Sequence, residues 1–340
     1  MNMKKTIYTI LPLTAMMLLH SCARPAETGL NDAAVLYFES WISQNYPTAT
    51  KTPLGSYIIS EETGSGTPMS IFPYFRINYS SYTLDGELSG TTVESVARQN
   101  NIYSKTTFYG PMFGYRGENY DAMSSGLEEI LSMMNGGGRC KVAIPGWLST
   151  SDRYDTPEEY IKNCSGTDLI YDLELVEPIF DIESWEKDSL TRFVRNNWPG
   201  ARQDSLDGFW YQRLDSGSDK SITKDSTVYI NYIGRRLDGA VFDTNIADTA
   251  KVWGLYSDSK EYAPAKIKWY SSDQDYKSIT MGSDESSIIE GFAFALSRMH
   301  RMEKGICFFW SGLGYSASGS GSSIPAYCPL SFEIEMTTEP

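Results

Sequence analysis

From Thr227 the chain alternates. Val228, Ile230 and Tyr232 point one way and Tyr229, Asn231 and Ile233 the other, which predicts a strand, and Asp238-Gly239 predicts the turn into Val241-Phe242. Farther on, Ile289, Phe292, Leu296 and Met299 recur at three- or four-residue spacing, the pattern of a helix with one apolar side. Ile306 to Trp310 reads as an apolar strand, Ser311 to Ser323 as a Gly/Ser loop, and Leu330 to Met336 as a closing strand. The first half of the chain shows the same helical face in Leu127, Ile130, Leu131 and Met134.

The two halves agree in letters as well as in pattern. Ile77-Asn78-Tyr79 and Leu84-Asp85-Gly86 return as Ile230-Asn231-Tyr232 and Leu237-Asp238-Gly239, offset by 153. Upstream, Glu39-Ser40-Trp41 recurs as Glu183-Ser184-Trp185, and Asn45-Tyr46-Pro47 as Asn197-Trp198-Pro199. Downstream, Gly126-Leu127 meets Gly291-Phe292 at an offset of 165, so the second copy carries about a dozen extra residues in between. The chain therefore reads as one domain written twice. Each copy has a leading helix, a strand pair, a variable loop, a helix and a closing strand. The predicted boundaries are a signal over 1–21, linker and helix over 22–50, a first domain over 51–180, a linking helix over 181–204 and a second domain over 205–340.

Lys4 and Lys5 followed by the apolar run Ile7 to Leu19 form a signal-peptide pattern too short to span a membrane of about 30 Å. The run ends Leu19-His20-Ser21-Cys22, which resembles a bacterial lipobox and makes Cys22 the expected lipidated N-terminus. An ordinary cleavable signal with a stray cysteine is the alternative. Ala23 to Asn31 reads as a tether, so the expected location is the cell envelope, lipid-anchored to a bacterial membrane. The expected membrane is the outer one, and the lack of an acidic run after Cys22 favours a periplasm-facing site over surface export. The net charge of −14, without a basic stripe, argues against a nucleic-acid partner.

Four further cysteines remain. An exported compartment permits the bridges Cys140–Cys164 and Cys307–Cys328, with two buried thiols per domain as the alternative. His300 is the sole histidine after the signal and sits at a helix end beside Arg298 and Arg301, where a cationic side chain suits the dipole. Gly136-Gly137-Gly138 follows a helix instead of preceding one, so it stops a helix and does not cradle a phosphate. Asp152, Asp155, Glu158 and Glu159 fall in a polar loop broken by proline. Hydrolase, nucleotide and metal chemistry are not expected, and neither is a cofactor.

The ordered run Tyr232-Ile233-Gly234, Leu237-Asp238-Gly239, Phe242-Asp243, Ile288-Ile289-Glu290-Gly291, Met299, Gly314-Tyr315, Gly319, Ile324-Pro325 and Leu330-Ser331-Phe332 resembles the FKBP-type peptidyl-prolyl isomerases. The resemblance covers about 205–338, and more weakly 50–180. It implies an α+β fold: two FKBP-like domains, each a bent antiparallel sheet of about five strands wrapped over one short helix, each preceded by an N-terminal helix. It implies a pocket lined by Tyr232, Phe242, Ile289, Phe292, Tyr315, Ile324 and Phe332, with Asp243 at its edge. The implied activity is prolyl isomerisation of Pro-containing polypeptides in the envelope. Phe292 replaces the family's usual Trp, and Ser316 follows Tyr315 in place of Gly. Thr244 to Ser278, with Trp253, Tyr256, Trp269, Tyr270 and Tyr276, reads as a loop about two dozen residues longer than in minimal members.

The first copy keeps the frame, but Ser89-Gly90 replaces Phe242-Asp243 and Leu127 stands at the pocket floor. It also lacks a secure counterpart of Tyr315, Tyr154 being the nearest candidate, so it reads as a non-catalytic domain. Two rival functions are a non-catalytic FKBP-like binding lipoprotein of an envelope assembly and a surface glycan binder using exposed tryptophans.

Overall fold

The computed structural model describes residues 30–116, 123–218, 220, 222, 226–268 and 276–337. The signal, Cys22, Trp269 and Tyr270 lie outside them. Among the described residues no helix is long and apolar enough to cross a membrane.

The first unit runs α1 (Leu30–Asn45), β1 (Thr50–Lys51), β2 (Tyr57–Glu62), β3 (Tyr74–Thr83), β4 (Leu88–Thr91), α2 (Glu94–Gln99), β5 (Met112–Tyr115), α3 (Ser125–Met133), β6 (Gly138–Ile144), α4 (Pro157–Lys162) and β7 (Leu169–Ile179). The second runs α5 (Ile182–Asn197), β8 (Arg202–Gln203), β9 (Phe209–Asp215), β10 (Thr227–Arg236), β11 (Val241–Thr244), α6 (Ala247–Trp253), β12 (Ala265–Lys268), β13 (Thr280–Met281), β14 (Ser286–Ser287), α7 (Glu290–Arg298), β15 (Lys304–Phe309) and β16 (Leu330–Thr337). Every pairing is antiparallel, in the orders β1-β2-β6-β7-β3-β4 and β8-β9-β15-β16-β10-β12-β13-β14, with β5 on β3 and β11 on β10. Each sheet curls over its central helix, α3 or α7, as the alternation in β10 and the helical periodicity require.

The sheets have seven and nine strands, not about five. Five strands carry each fold, and the additions are short edge strands that pattern reading does not register. They also locate the length difference between the two copies. Residues 244–268 have a counterpart in the first unit: Ile77↔Met112 there is matched by Ile230↔Ala265 in the second, so the 153 offset runs through β5 and β12. The added dozen residues follow β12 and contain the small β13–β14 hairpin.

Three other expectations change. The leading helices superpose at an offset of 152, with buried Phe38 and Ile42 answering to Leu190 and Val194. The Glu-Ser-Trp recurrence at 144 is therefore a coincidence of letters, because burial and not identity sets a helix's rotation on its sheet. Pro157 starts α4 instead of breaking a loop, with the Thr156 hydroxyl accepting from the Glu159 N–H, so Glu158 and Glu159 lie in a first helical turn where carboxylates suit the dipole. All four described cysteines are free. Cys307 pairs with Phe332 whereas Cys140 pairs with Leu173, the counterpart of Ile334, so the two strand cysteines occupy different rungs. Burial pushes the thiols of Cys140, Cys307 and Cys328 up to about 12.

Two cores result. One gathers α1, α3 and the first sheet around Phe38, Met69, Phe75 and Leu148. The other gathers α7 and the second sheet around Phe292, Leu296, Phe309 and Phe332. On the opposite face of the second sheet, Leu190 and Val194 of α5 pack against Trp210, Ile306 and Phe308. Asp181 caps α5, its carboxylate accepting from the N–H groups of Glu183 and Ser184.

Candidate active site

Tyr232 faces inward from β10 beside Ile230 because alternate strand residues share a face. Its hydroxyl donates to Asp243 Oδ2 at 2.7 Å, and Asp243 Oδ1 accepts from Lys260 Nζ at 2.7 Å. Burial first, then the neighbouring Asp243 carboxylate, raise the Tyr232 phenol far above its ordinary value, which fixes it as a donor. Behind the pair, buried Asn245 stitches β11 to β10. Its side chain accepts from the Tyr232 N–H at 2.9 Å and donates to the carbonyls of Ile230 (2.8 Å) and Ala263 (2.9 Å).

Above this lies an aromatic cluster. Phe292 is 4.7 Å from Phe332 and 5.7 Å from Tyr232, and Phe242 meets Phe332 edge-on at 5.5 Å. The cluster depends on Gly234, which pairs with both Asp243 and Phe332. A Cβ at Gly234 would stand 2.8 Å from the rings of Phe242 and Phe332. In the first unit that position is Ser81, facing Gly90 and Tyr171, and the Phe242 position is Ser89. Loss of the glycine and loss of the phenylalanine go together.

All seven predicted pocket-wall residues join one cluster. Tyr232, Phe292, Ile324 and Phe332 are buried and form its floor, while Phe242, Ile289 and Tyr315 are half-buried and present its accessible side. Ile324 exchanges backbone hydrogen bonds with Ser320 in both directions and points its side chain into the core. Tyr315 sits in the turn after β15, its carbonyl accepting from the N–H groups of Ser318 and Gly319 at 3.2 Å. Burial, and secondarily Asp243, raise its phenol. Ile289 caps α7, and its carbonyl accepts from Phe292 and Ala293. The following Ser316 has a positive φ of 49°.

Tyr154, the nearest candidate for a first-unit Tyr315, packs edge-on against Tyr160 at 5.1 Å in the core beside α4. His300 is engaged by Glu303 and Arg213, with Nδ1 3.1 Å from the buried Glu303 carboxylate, in a structural cluster at the far end of α7.

Sequence reading missed Lys260, Asn245 and the tyrosine pair beyond them. Tyr256 stacks on Tyr262 at 4.9 Å, and the Tyr262 hydroxyl accepts from the Ser257 N–H and donates to the Leu255 carbonyl. The first unit builds the same device from Tyr103, Tyr109, Ser104 and Ile102. The signal was present as Ile102-Tyr103-Ser104 against Leu255-Tyr256-Ser257, again 153 apart.

Residues 218–337 match the model of the FKBP-type peptidyl-prolyl cis-trans isomerases. The macrophage infectivity potentiator of Trypanosoma cruzi is 28% identical over 130 residues, spanning 38% of this chain and 52% of that protein. This chain thus covers about half the length of that relative. Among solved structures, a peptidyl-prolyl cis-trans isomerase from Pseudomonas syringae pv. tomato is 23% identical over 46% of this chain and 93% of its own, with a TM-score of 0.31. The three FKBP domains of wheat FKBP73 align at 14% identity over 83% of this chain and 94% of theirs, with a TM-score of 0.29. Through residues 218–337, about a third of its length, the chain is similar to the FKBP-type peptidyl-prolyl cis-trans isomerases.

Proposed function

We propose that this chain is a membrane-anchored peptidyl-prolyl cis-trans isomerase and folding helper for exported proteins, with its activity in the C-terminal unit. The observation that carries the reading is the aromatic cluster around Gly234, with Tyr232 bonded to Asp243, in one unit and its replacement by Ser81 and Ser89 in the other.

The chemistry needs no nucleophile. The barrier of about 18–20 kcal/mol arises from amide resonance, so it falls when the twisted amide is favoured and water is excluded. Phe242, Phe292 and Phe332 supply an apolar seat for a proline ring. In this reading the Ile289 N–H and the Tyr315 hydroxyl hold flanking carbonyls of the peptide, and Asp243 orients Tyr232 through its hydroxyl. With a Pro-containing peptide or a proline-limited refolding substrate, the wild type accelerates isomerisation and the Phe242→Ala/Tyr315→Ala variant loses most of the rate. No acceleration by wild type, or full rate in the variant, would sink the catalytic reading.

One observation favours a second reading as a non-catalytic binding module. Lys260 reaches the site edge and engages Asp243, so the loop bearing it borders any bound peptide. Saturable binding of a proline peptide without acceleration would select this alternative.

Anchoring through lipidated Cys22, at the outer membrane and facing the periplasm, is part of the proposal and rests on the Leu19-His20-Ser21-Cys22 motif. Labelling of a bacterial expression host with an alkynyl fatty acid should mark wild type and not Cys22→Ser. Equal labelling of both removes the anchor.

A further inference from the structure

The loop that carries Tyr315 and Ile324 reaches the second core at only a few side chains, Leu313, Tyr315, Ile324 and Cys328. Between β15 and β16 it includes Gly312, Gly314, Gly319 and Gly321 among several serines, residues that lose much conformational freedom on ordering and bury little apolar surface in return. Its internal backbone bonds are mostly short-range turns such as Leu313 N–H to Trp310, with Tyr327 N–H to Ser316 closing the loop across eleven residues. Three anchors from outside the C-terminal sheet fix it at its start, its tip and its end.

At the start, buried Glu186 of α5 accepts from both the N–H and the hydroxyl of Ser311. At the tip, the Phe108 N–H of the first unit donates to the Ser322 carbonyl at 2.8 Å. The Phe108 ring lies 5.2 Å from the Arg236 guanidinium, which donates to the Ser323 carbonyl at 2.6 Å and pairs with Asp238. At the end, Tyr327 is held edge-on between Tyr74 at 5.9 Å and Phe113 at 5.8 Å. Phe113 is backed by Trp185 of α5 at 5.2 Å.

We propose that the first unit and α5 are positioning elements for the C-terminal site, Phe108, Phe113 and Glu186 being the residues through which they hold the Tyr315–Ile324 loop. The repeat supports the assignment. At the 153 offset Phe108 and Phe113 answer to Glu261 and Lys266, so the first unit carries aromatic docking residues where its twin carries charges. A unit that has lost its own aromatic cluster retains a purpose as the second half of its neighbour's.

The inference rests on the isomerase reading for its functional consequence, and the test separates the two. In the full chain, Phe108→Ala/Phe113→Ala is compared with wild type by amide hydrogen exchange and by kcat and KM on a proline tetrapeptide. Peptides covering 311–328 should exchange about tenfold faster while those of β10 and α7 are unchanged. KM should rise several-fold with kcat nearly constant, and Phe113→Tyr, which keeps the ring, should behave as wild type. Tyr327→Ala removes the contact from the other side and serves if the double variant misfolds. Unchanged exchange over 311–328 overturns the proposal, as does a loosened loop with unaltered KM in an active wild type. An inactive wild type defeats the isomerase reading alone, since loop exchange still decides whether the first unit holds the loop.

Discussion

Gly234 is the residue on which the difference between the two units turns. No side chain fits there without displacing a ring, because a Cβ would fall 2.8 Å from the rings of Phe242 and Phe332, and Phe332 is itself packed on Phe292 and Tyr232. Gly234→Ala should therefore lower stability by about 1–3 kcal/mol, the usual range for overpacking, and reduce kcat/KM further by displacing Phe242. Chemical denaturation alongside a peptide assay checks both, and an unperturbed variant would show that the rings have room to move. Ser81→Gly in the first unit should leave activity unchanged, since Ser89 supplies no ring to seat. By contrast, the Lys260–Asp243 pair is about two-fifths exposed on each side, so its loss should matter little to stability.

At the scale of elements, α5 has two jobs. Its apolar stripe covers the outer face of the second sheet, and its N-terminal half faces the first unit through Trp185, which donates to Glu177 at 3.3 Å. Glu186, fully buried, is the polar element of this contact. Burial raises its carboxyl above the ordinary value, against the pull of the two Ser311 hydrogen bonds. A folded-state value raised above the unfolded one favours the fold below the unfolded value, and this contribution is lost as pH rises through the folded value. Glu186→Gln should thus be as stable as wild type or more so at pH 7, with wild type gaining on it as pH falls toward the ordinary glutamate value of 4.5. Glu186→Ala strands the Ser311 N–H and should cost about 1–3 kcal/mol. Thermal melts across pH 4.5–8 decide, and a gap that moves the opposite way on acidification refutes the sign.

At the scale of the whole molecule, the two copies share a frame and differ in particular segments. Both units keep the β3/β10 frame, the central helix, the sewing of β4 or β11 through Thr92 or Asn245, and the stacked tyrosines. They diverge in the aromatic cluster and in the docking segment. Neither unit relies on a covalent staple, because all four described thiols are free and two are fully packed in strands. Melting temperature should accordingly be indifferent to reductant, and a thiol reagent should modify Cys140 and Cys307 only after denaturation. A drop in melting temperature on adding dithiothreitol would restore the bridges that an exported compartment permits.

The sequence by itself determined the duplication and the one apolar-faced helix per unit, while the antiparallel sheet and the proposed pocket residues were implied by the family resemblance. The duplication and the helices follow from local periodicity and from letters that recur at a fixed offset, both of which survive without three-dimensional information. Within residues 244–268, α6 and β12 are too short to announce themselves, and the residues by which the second copy exceeds the first fall after them. Tertiary structure alone decided that the four described cysteines stay free, which glycine makes room for the rings, and that Phe108, Phe113 and Glu186 reach a loop more than a hundred residues away. Such contacts depend on how two sheets and a helix orient their faces, and no spacing along the chain encodes that.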